Sequence, residues 1–192
     1  MTDANERTER GDEERRGATP RVVVVGFMCA GKTSVARELA RRLGCAWADL
    51  DERVGERERR TPRQLIEEDG EPAFREAETR ALAGLLEEES GARVVAAGGG
   101  TWALKRNRAL VARHGCVSVW LDAPFELCWR RIGREGGAAS RPLARDRATA
   151  QRLYDERLAL YRLASLHVDA GDGRPPAALA EEVFEALNSS AG

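Results

Sequence analysis

Apolar residues along this chain fall into short unbroken runs separated by longer periodic stretches. Val22–Val25 is a β-branched run, and Cys45–Ala48, Arg93–Ala97, Cys116–Leu121 and Leu166–Asp169 are four more runs of strand length. Apolar runs without polar alternation are what a strand covered on both faces needs. Between the runs the apolar spacing becomes helical. Val35, Leu39 and Leu43 stand four apart in Lys32–Leu43, with alanines between them. Further helices are predicted over Pro62–Glu68, Pro72–Glu89, Arg106–Arg113, Phe125–Gly133, Ala148–Leu163 and Pro176–Leu187. Pro72 suits a first helical turn, where its missing N–H is no loss. Strands alternating with amphipathic helices predict an α/β domain with a parallel sheet and right-handed crossovers. In such sheets ligands bind beyond the carboxyl ends of the strands.

Two segments break this pattern. Residues 1–20 carry six acids and four arginines with almost no apolar residue, which predicts a disordered tail before a single domain over 21–192. Residues 133–147 are rich in glycine and arginine without an apolar period, which predicts a mobile flap. The 31 Lys+Arg and 32 Asp+Glu nearly balance. No basic field calls for nucleic acid. No apolar stretch is long enough to span a membrane. Cys29, Cys45, Cys116 and Cys128 form no C-x-x-C pair, and the two histidines, His114 and His167, lie far apart. Thiols in a reducing cytoplasm are the simple expectation.

Composition sharpens one motif. Lys32 and Lys105 are the only lysines, and Lys32 sits in Gly26-Phe27-Met28-Cys29-Ala30-Gly31-Lys32-Thr33-Ser34. This fits the phosphate-loop pattern G-x-x-x-x-G-K-[ST], with the strand before and helix after that the pattern requires. Backbone N–H groups and the helix N-terminus cradle phosphate oxygens. Lys32 reaches the β/γ-phosphates, and the Thr33 hydroxyl suits Mg²⁺. The loop implies a nucleoside triphosphate and leaves the phosphate acceptor open.

The other strand ends carry candidates for an acceptor site. Asp49-Leu50-Asp51 follows the second strand, and alternation along a strand end would point the two carboxylates to opposite sides. They are either a metal carboxylate and a base for the nucleophile, or a solvated acidic turn. Gly98-Gly99-Gly100 follows the third strand. Three glycines cost backbone entropy, so they mark either a close backbone approach to a ligand or a flexible turn. Arg75 and Glu78 share a helix face, as an exposed ion pair or as a carboxylate fork held by an acid.

The ordered set GFMCAGKTS, DLD, DGEPAFREAE, GGG, SRPLA and ERLALY resembles shikimate kinase over about residues 20–187. The resemblance implies a P-loop kinase of the nucleoside-monophosphate-kinase type, with a five-stranded parallel sheet in order 2-3-1-4-5. It implies transfer of the ATP γ-phosphoryl group to the 3-hydroxyl of shikimate by a cytoplasmic monomer. ATP would be held by Gly26, Cys29, Ala30, Gly31, Lys32, Thr33 and Ser34, with Lys32 on the transferring phosphate. Thr33 and Asp49 would serve Mg²⁺. Asp51 would bind the shikimate hydroxyls and act as base, and Arg75 and Arg157 would grip the carboxylate. Gly98, Gly99 and Gly100 would cradle the ring. Arg141 would swing from the lid onto the phosphates, and Arg131 would stack on adenine.

Four residues depart from the family pattern. Cys29 replaces a glycine, at a cost of about 1–2 kcal/mol if its φ is positive. Ala144 replaces a lid leucine. Ala159 replaces a proline near Arg157, which would loosen that arginine, and bulky Trp102 would narrow the acceptor pocket. Two other readings stay open. One is a kinase of the same fold acting on another hydroxy acid or sugar acid. The other is a nucleotide-binding switch without turnover, against which no N-K-x-D signature is present.

Overall fold

A computed structural model describes residues 20–88, 91–134, 146–171 and 173–189. The expected N-terminal tail therefore lies outside the described residues, save Pro20. Five strands form one parallel sheet in the order β2-β3-β1-β4-β5. They are β1 Val22–Val25, β2 Trp47–Asp49, β3 Val94–Ala96, β4 Val117–Asp122 and β5 Leu166–Asp169. The order is the one the resemblance implied. Central β1 pairs with β3 and β4, setting Val24 beside Ala96 and Val119. All four valines of β1 are buried. Burial on both faces is why the strand reads as an unbroken β-branched run.

Helix α1, Lys32–Leu43, leaves the loop after β1 and buries Val35, Ala36, Leu39 and Ala40. Gly44, at φ 61°, closes it and satisfies carbonyls of the last turn. Helix α3, Pro62–Glu87, opens on a capping box in which Thr61 and Gln64 exchange hydrogen bonds. Gly70 then breaks it at φ 86° and ψ 163°. The two helices expected on either side of residues 69–71 are therefore the arms of one kinked helix. Helix α3 packs on α2, Leu50–Glu58, and its second arm supplies Phe74, Ala77, Ala81, Leu82 and Leu85 to the core.

Beyond β3 come α4, Gly99–Ala103, and α5, Lys105–Arg113. After β4 come α6, Phe125–Arg134, and α7, Arg147–Tyr161, and the chain continues through β5 into α8, Pro176–Ser189. Helices α2 and α4 did not stand out in the sequence. Of the flap expected over 133–147, residues 133–134 end α6 and Arg147 opens α7. Residues 135–145 lie outside the described residues. Among the described residues, no helix is long and apolar enough to cross a membrane.

Candidate active site

The phosphate loop is built by its glycines. Gly26 has φ 149°, and a Cβ there would stand 2.8 Å from the Leu121 carbonyl oxygen of neighbouring β4. Gly31 has φ 97° and forms the N-cap of α1. The loop therefore ends with the α1 N–H groups pointing outward, a ready site for anions. Cys29 takes φ 58°, a left-handed conformation that favours glycine. Lys32 Nζ donates to the Phe27 carbonyl at 2.8 Å, so the ammonium folds back over the loop. Burial lowers its pKa, opposed chiefly by the Asp51 carboxylate.

Asp49 and Asp51 are arranged differently from the strand-end alternation expected. Asp49 is the last residue of β2 and the N-cap of α2, accepting the Asp51 N–H at 3.0 Å. Asp51 lies in the first turn of α2, and both side chains line one cleft. The helix begins one residue earlier than a strand reading allows, because the Asp49 side chain caps it. Asp49 Oδ2 also accepts the Thr33 hydroxyl at 2.7 Å. A hydroxyl and a carboxylate oxygen held together are hard ligands that suit Mg²⁺, which takes one or two carboxylates plus phosphates and water. Among the described residues no group of three or more His, Cys, Asp or Glu gathers as an all-protein metal cage.

Asp51 opens on the cleft, yet the walls around it remove much of its solvent. Its carboxyl is pushed up to about 6, first by that desolvation and then by Glu78 and Asp49. Lys32 and Arg75 pull it the other way. A carboxylate poised near neutrality beside a phosphate loop suits general base work.

Arg75 projects from the second arm of α3 with its guanidinium fixed on two sides. Nε and Nη2 donate to Glu71 Oε1 at 3.1 and 2.8 Å, and Nη1 donates to Glu78 Oε2 at 2.6 Å. Glu78 is 1% exposed. The bland reading of a surface ion pair therefore fails for Arg75–Glu78.

The three glycines are neither an open turn nor in left-handed conformations. Gly98 is the N-cap of α4, and Gly99 and Gly100 form its first turn. Their smallness answers protein neighbours. A Cβ on Gly100 would overlap the Arg75 guanidinium, and one on Gly99 would overlap the Tyr161 hydroxyl and stand 2.9 Å from Gly26 O.

These parts line one cleft of about 610 Å³ at the carboxyl ends of the strands. Cys29, Gly31, Lys32, Thr33, Ser34, Asp49, Asp51, Arg75, Gly98–Gly100, Arg131 and Arg157 all face it. Gly26 and Ala30, members of the same loop, are buried. Arg131 Nη1 donates to Cys29 O at 3.1 Å, which sets its guanidinium on the phosphate loop itself. Arg141 and Ala144 lie outside the described residues. Ala159 continues α7 to Tyr161, so Arg157 rides on an unbroken helix. Trp102 is buried and donates its indole N–H to Leu160 O at 2.9 Å, so it packs behind the cleft and does not narrow it. The sequence reading missed Phe74, whose ring lies 5.1 Å beneath the Arg75 guanidinium carbon, and Ile66, which adds apolar wall. It also missed Thr101, whose hydroxyl donates to Glu78 Oε1. A buried threonine after three glycines carries no signal in sequence, whereas Phe74 could have been read from its place beside Arg75.

Sheet order, phosphate loop and a second, arginine-lined half of the same cleft define a P-loop small-molecule kinase. The comparisons narrow that class. The family model for shikimate kinase matches residues 28–188. A shikimate kinase of Ruegeria pomeroyi is 41% identical over 150 residues, covering 77% of this chain and 74% of that one. The crystal structure of shikimate kinase from Aquifex aeolicus superposes with a TM-score of 0.77 at 31% identity, covering 89% of this chain and 98% of that chain. Shikimate kinase from Acinetobacter baumannii in complex with shikimate gives a TM-score of 0.81 at 29% identity, covering 92% and 97%. The chain belongs to the shikimate kinase family.

Proposed function

We propose that this chain transfers the ATP γ-phosphoryl group to the 3-hydroxyl of shikimate, giving ADP and shikimate 3-phosphate. The observation that carries the reading is one cleft lined by Lys32 and Thr33 and also by Asp51, Arg75 and Arg157. A phosphate loop thereby faces a carboxylate base and two cations suited to an anionic acceptor. Arginine presents planar paired donors that match a carboxylate. Each charge-assisted bond is worth about 1.5–3 kcal/mol. Two such arginines therefore supply most of a micromolar affinity, about 8 kcal/mol.

In this reading Gly31 to Ser34 and the α1 N-terminus bind the triphosphate, and Lys32 leaves the Phe27 carbonyl for the transferring group. Arg131 adds positive charge on the phosphate loop and stacks on adenine, and Arg141 comes from the segment outside the described residues. Thr33 and Asp49 would hold Mg²⁺, and the ion would supply positive charge to offset that of the triphosphate. Arg75 and Arg157 fix the shikimate carboxylate, and Gly98 to Gly100 give the ring a flat backbone wall. Asp51 accepts the proton of the 3-hydroxyl as that oxygen bonds to the γ-phosphorus and the bond to the ADP oxygen breaks. The proton then passes to solvent, and the carboxylate is restored. Little covalent chemistry falls to the protein, so positioning and charge supply most of the catalysis. The chain's cysteines, all thiols, support a cytoplasmic setting.

The test is a coupled ADP assay on the purified protein with Mg-ATP. Shikimate is expected to stimulate ADP release, with formation of a phosphorylated acid. ADP release that shikimate does not stimulate would overturn the reading.

A further inference from the structure

Glu78 is a buried carboxylate with two oxygens to satisfy, and each has a different partner. Oε2 accepts Arg75 Nη1 at 2.6 Å, and Oε1 accepts the Thr101 hydroxyl at 2.5 Å. Thr101 is 1% exposed, like Glu78. We propose that Thr101 is a positioning residue for Arg75, acting through Glu78. This rests on the reading of Arg75 as a grip on the acceptor carboxylate.

A guanidinium has five N–H groups in a fixed fork. Three of those of Arg75 are used, two on Glu71 and one on Glu78. Two remain, one on each terminal nitrogen, which is what a bidentate carboxylate partner needs. The Thr101 hydroxyl keeps it so. It holds Oε1 turned towards Thr101, and in that orientation only Oε2 meets Arg75. Without that hydroxyl, Oε1 would be a bare buried carboxylate oxygen, which is costly. The carboxylate would turn both oxygens onto Arg75 and take another of its donors.

Thr101 is itself held. Its carbonyl accepts Asn107 Nδ2 at 3.0 Å, and Asn107 is buried. The next residue, Trp102, ties α4 to the end of α7, the helix that carries Arg157. A Cβ on Gly98 would stand 3.4 Å from both Glu78 Oε1 and Thr101 Oγ1, so that pair packs tightly against the backbone. β-Branching further restricts the Thr101 side chain. Helix α4 thus fixes the hydroxyl, the hydroxyl fixes Glu78, and Glu78 fixes the open edge of Arg75.

The experiment is steady-state kinetics on Thr101→Val, which keeps the shape and deletes the donor, with Thr101→Ser as the conservative control. Thr101→Val is expected to raise KM for shikimate about tenfold while KM for ATP stays within about twofold. Thr101→Ser restores the wild-type value. In an Arg75→Ala background, Thr101→Val is expected to add nothing to KM for shikimate, because the group it positions is gone. A merely structural threonine would raise both KM values alike, or would add its effect in that background, and either result overturns the proposal. So does an unchanged KM for shikimate in Thr101→Val. If that variant does not fold, Thr101→Ala carries the same expectations, and failure of both to fold marks Thr101 as structural and overturns it too. If Arg75→Ala itself leaves KM for shikimate unchanged, both the positioning role and the assignment of Arg75 fall. If Arg75→Ala raises it and Thr101→Val does not, only the positioning role falls.

Discussion

Cys29 bends the phosphate loop at φ 58°. A left-handed conformation costs a residue with a Cβ about 1–2 kcal/mol. Glycine relieves that cost but frees the unfolded chain by about 0.4–1 kcal/mol. Cys29→Gly is therefore expected to stabilise the protein by up to about 1 kcal/mol, whereas Cys29→Ala keeps a Cβ and gains nothing. Denaturant midpoints decide it, and a Gly midpoint below that of Ala by about the entropy cost of glycine would show that the loop bears no strain there. Asp51 makes a second residue-scale case. The folded protein holds its proton up to about pH 6, whereas the ordinary value is 3.8. Stability therefore falls as pH rises through that window, and the loss is complete above it. Asp51→Asn removes the ionisable group. It should raise Tm over wild type at about pH 8, and the gain should vanish below the ordinary value. A gain of the same size at both pH values would mean that the carboxylate charge is not its cause. In the intact enzyme the same proton predicts that kcat/KM falls as pH drops below about 6, where the base is blocked.

At the scale of elements, α4 places two glycines against two different kinds of neighbour. The obstacle to a Cβ at Gly100 is the far end of a flexible arginine. Gly100→Ala is expected to displace Arg75 and raise KM for shikimate about tenfold with little loss of Tm. The obstacle at Gly99 is the buried Tyr161 hydroxyl and the Gly26 backbone. Gly99→Ala is expected to cost about 1–3 kcal/mol of stability, since packed groups must move. Thermal melts and acceptor kinetics on the two variants check the contrast, and identical behaviour would refute it. The glycines drew attention in sequence as a place of close approach. What approaches from within the protein, Arg75 and Tyr161, lies far away along the chain. The strands were legible because a parallel sheet buried on both faces leaves unbroken apolar runs. Helix α2 was not, because only Leu50 and Val54 of it are buried and the rest is largely charged. Its start at Asp49 depends on a side-chain cap that is also a plausible strand end. The phosphate-loop residues could be read from one contiguous motif. Those that hold Arg75 in place could not, since Thr101 meets Glu78 only once α4 and α3 have packed.

Over the whole molecule, the site joins the loop after β1, the end of β2, the second arm of α3, the start of α4 and helix α7. Pairing of β1 with β3 brings the phosphate loop and the glycines together. A ligand bound in the cleft therefore bridges elements from both ends of the chain, and its binding energy adds to global stability. At a free concentration of about a hundred Kd, a ligand adds about 2.7 kcal/mol. For a domain of this size that corresponds to a rise in Tm of about 5–10 °C. A non-hydrolysable ATP analogue with Mg²⁺ and shikimate should each produce such a rise. Lys32→Ala should abolish most of the nucleotide shift and keep the shikimate shift, because its ammonium lies on the phosphate loop. Arg75→Ala should do the reverse, because its open donors face the other half of the cleft. Lys32 and Arg75 both act on the Asp51 carboxylate, so a small crossed effect is expected in each variant. If either variant lost both shifts equally, the cleft would be one undivided site, and the separation of nucleotide and acceptor halves would be wrong.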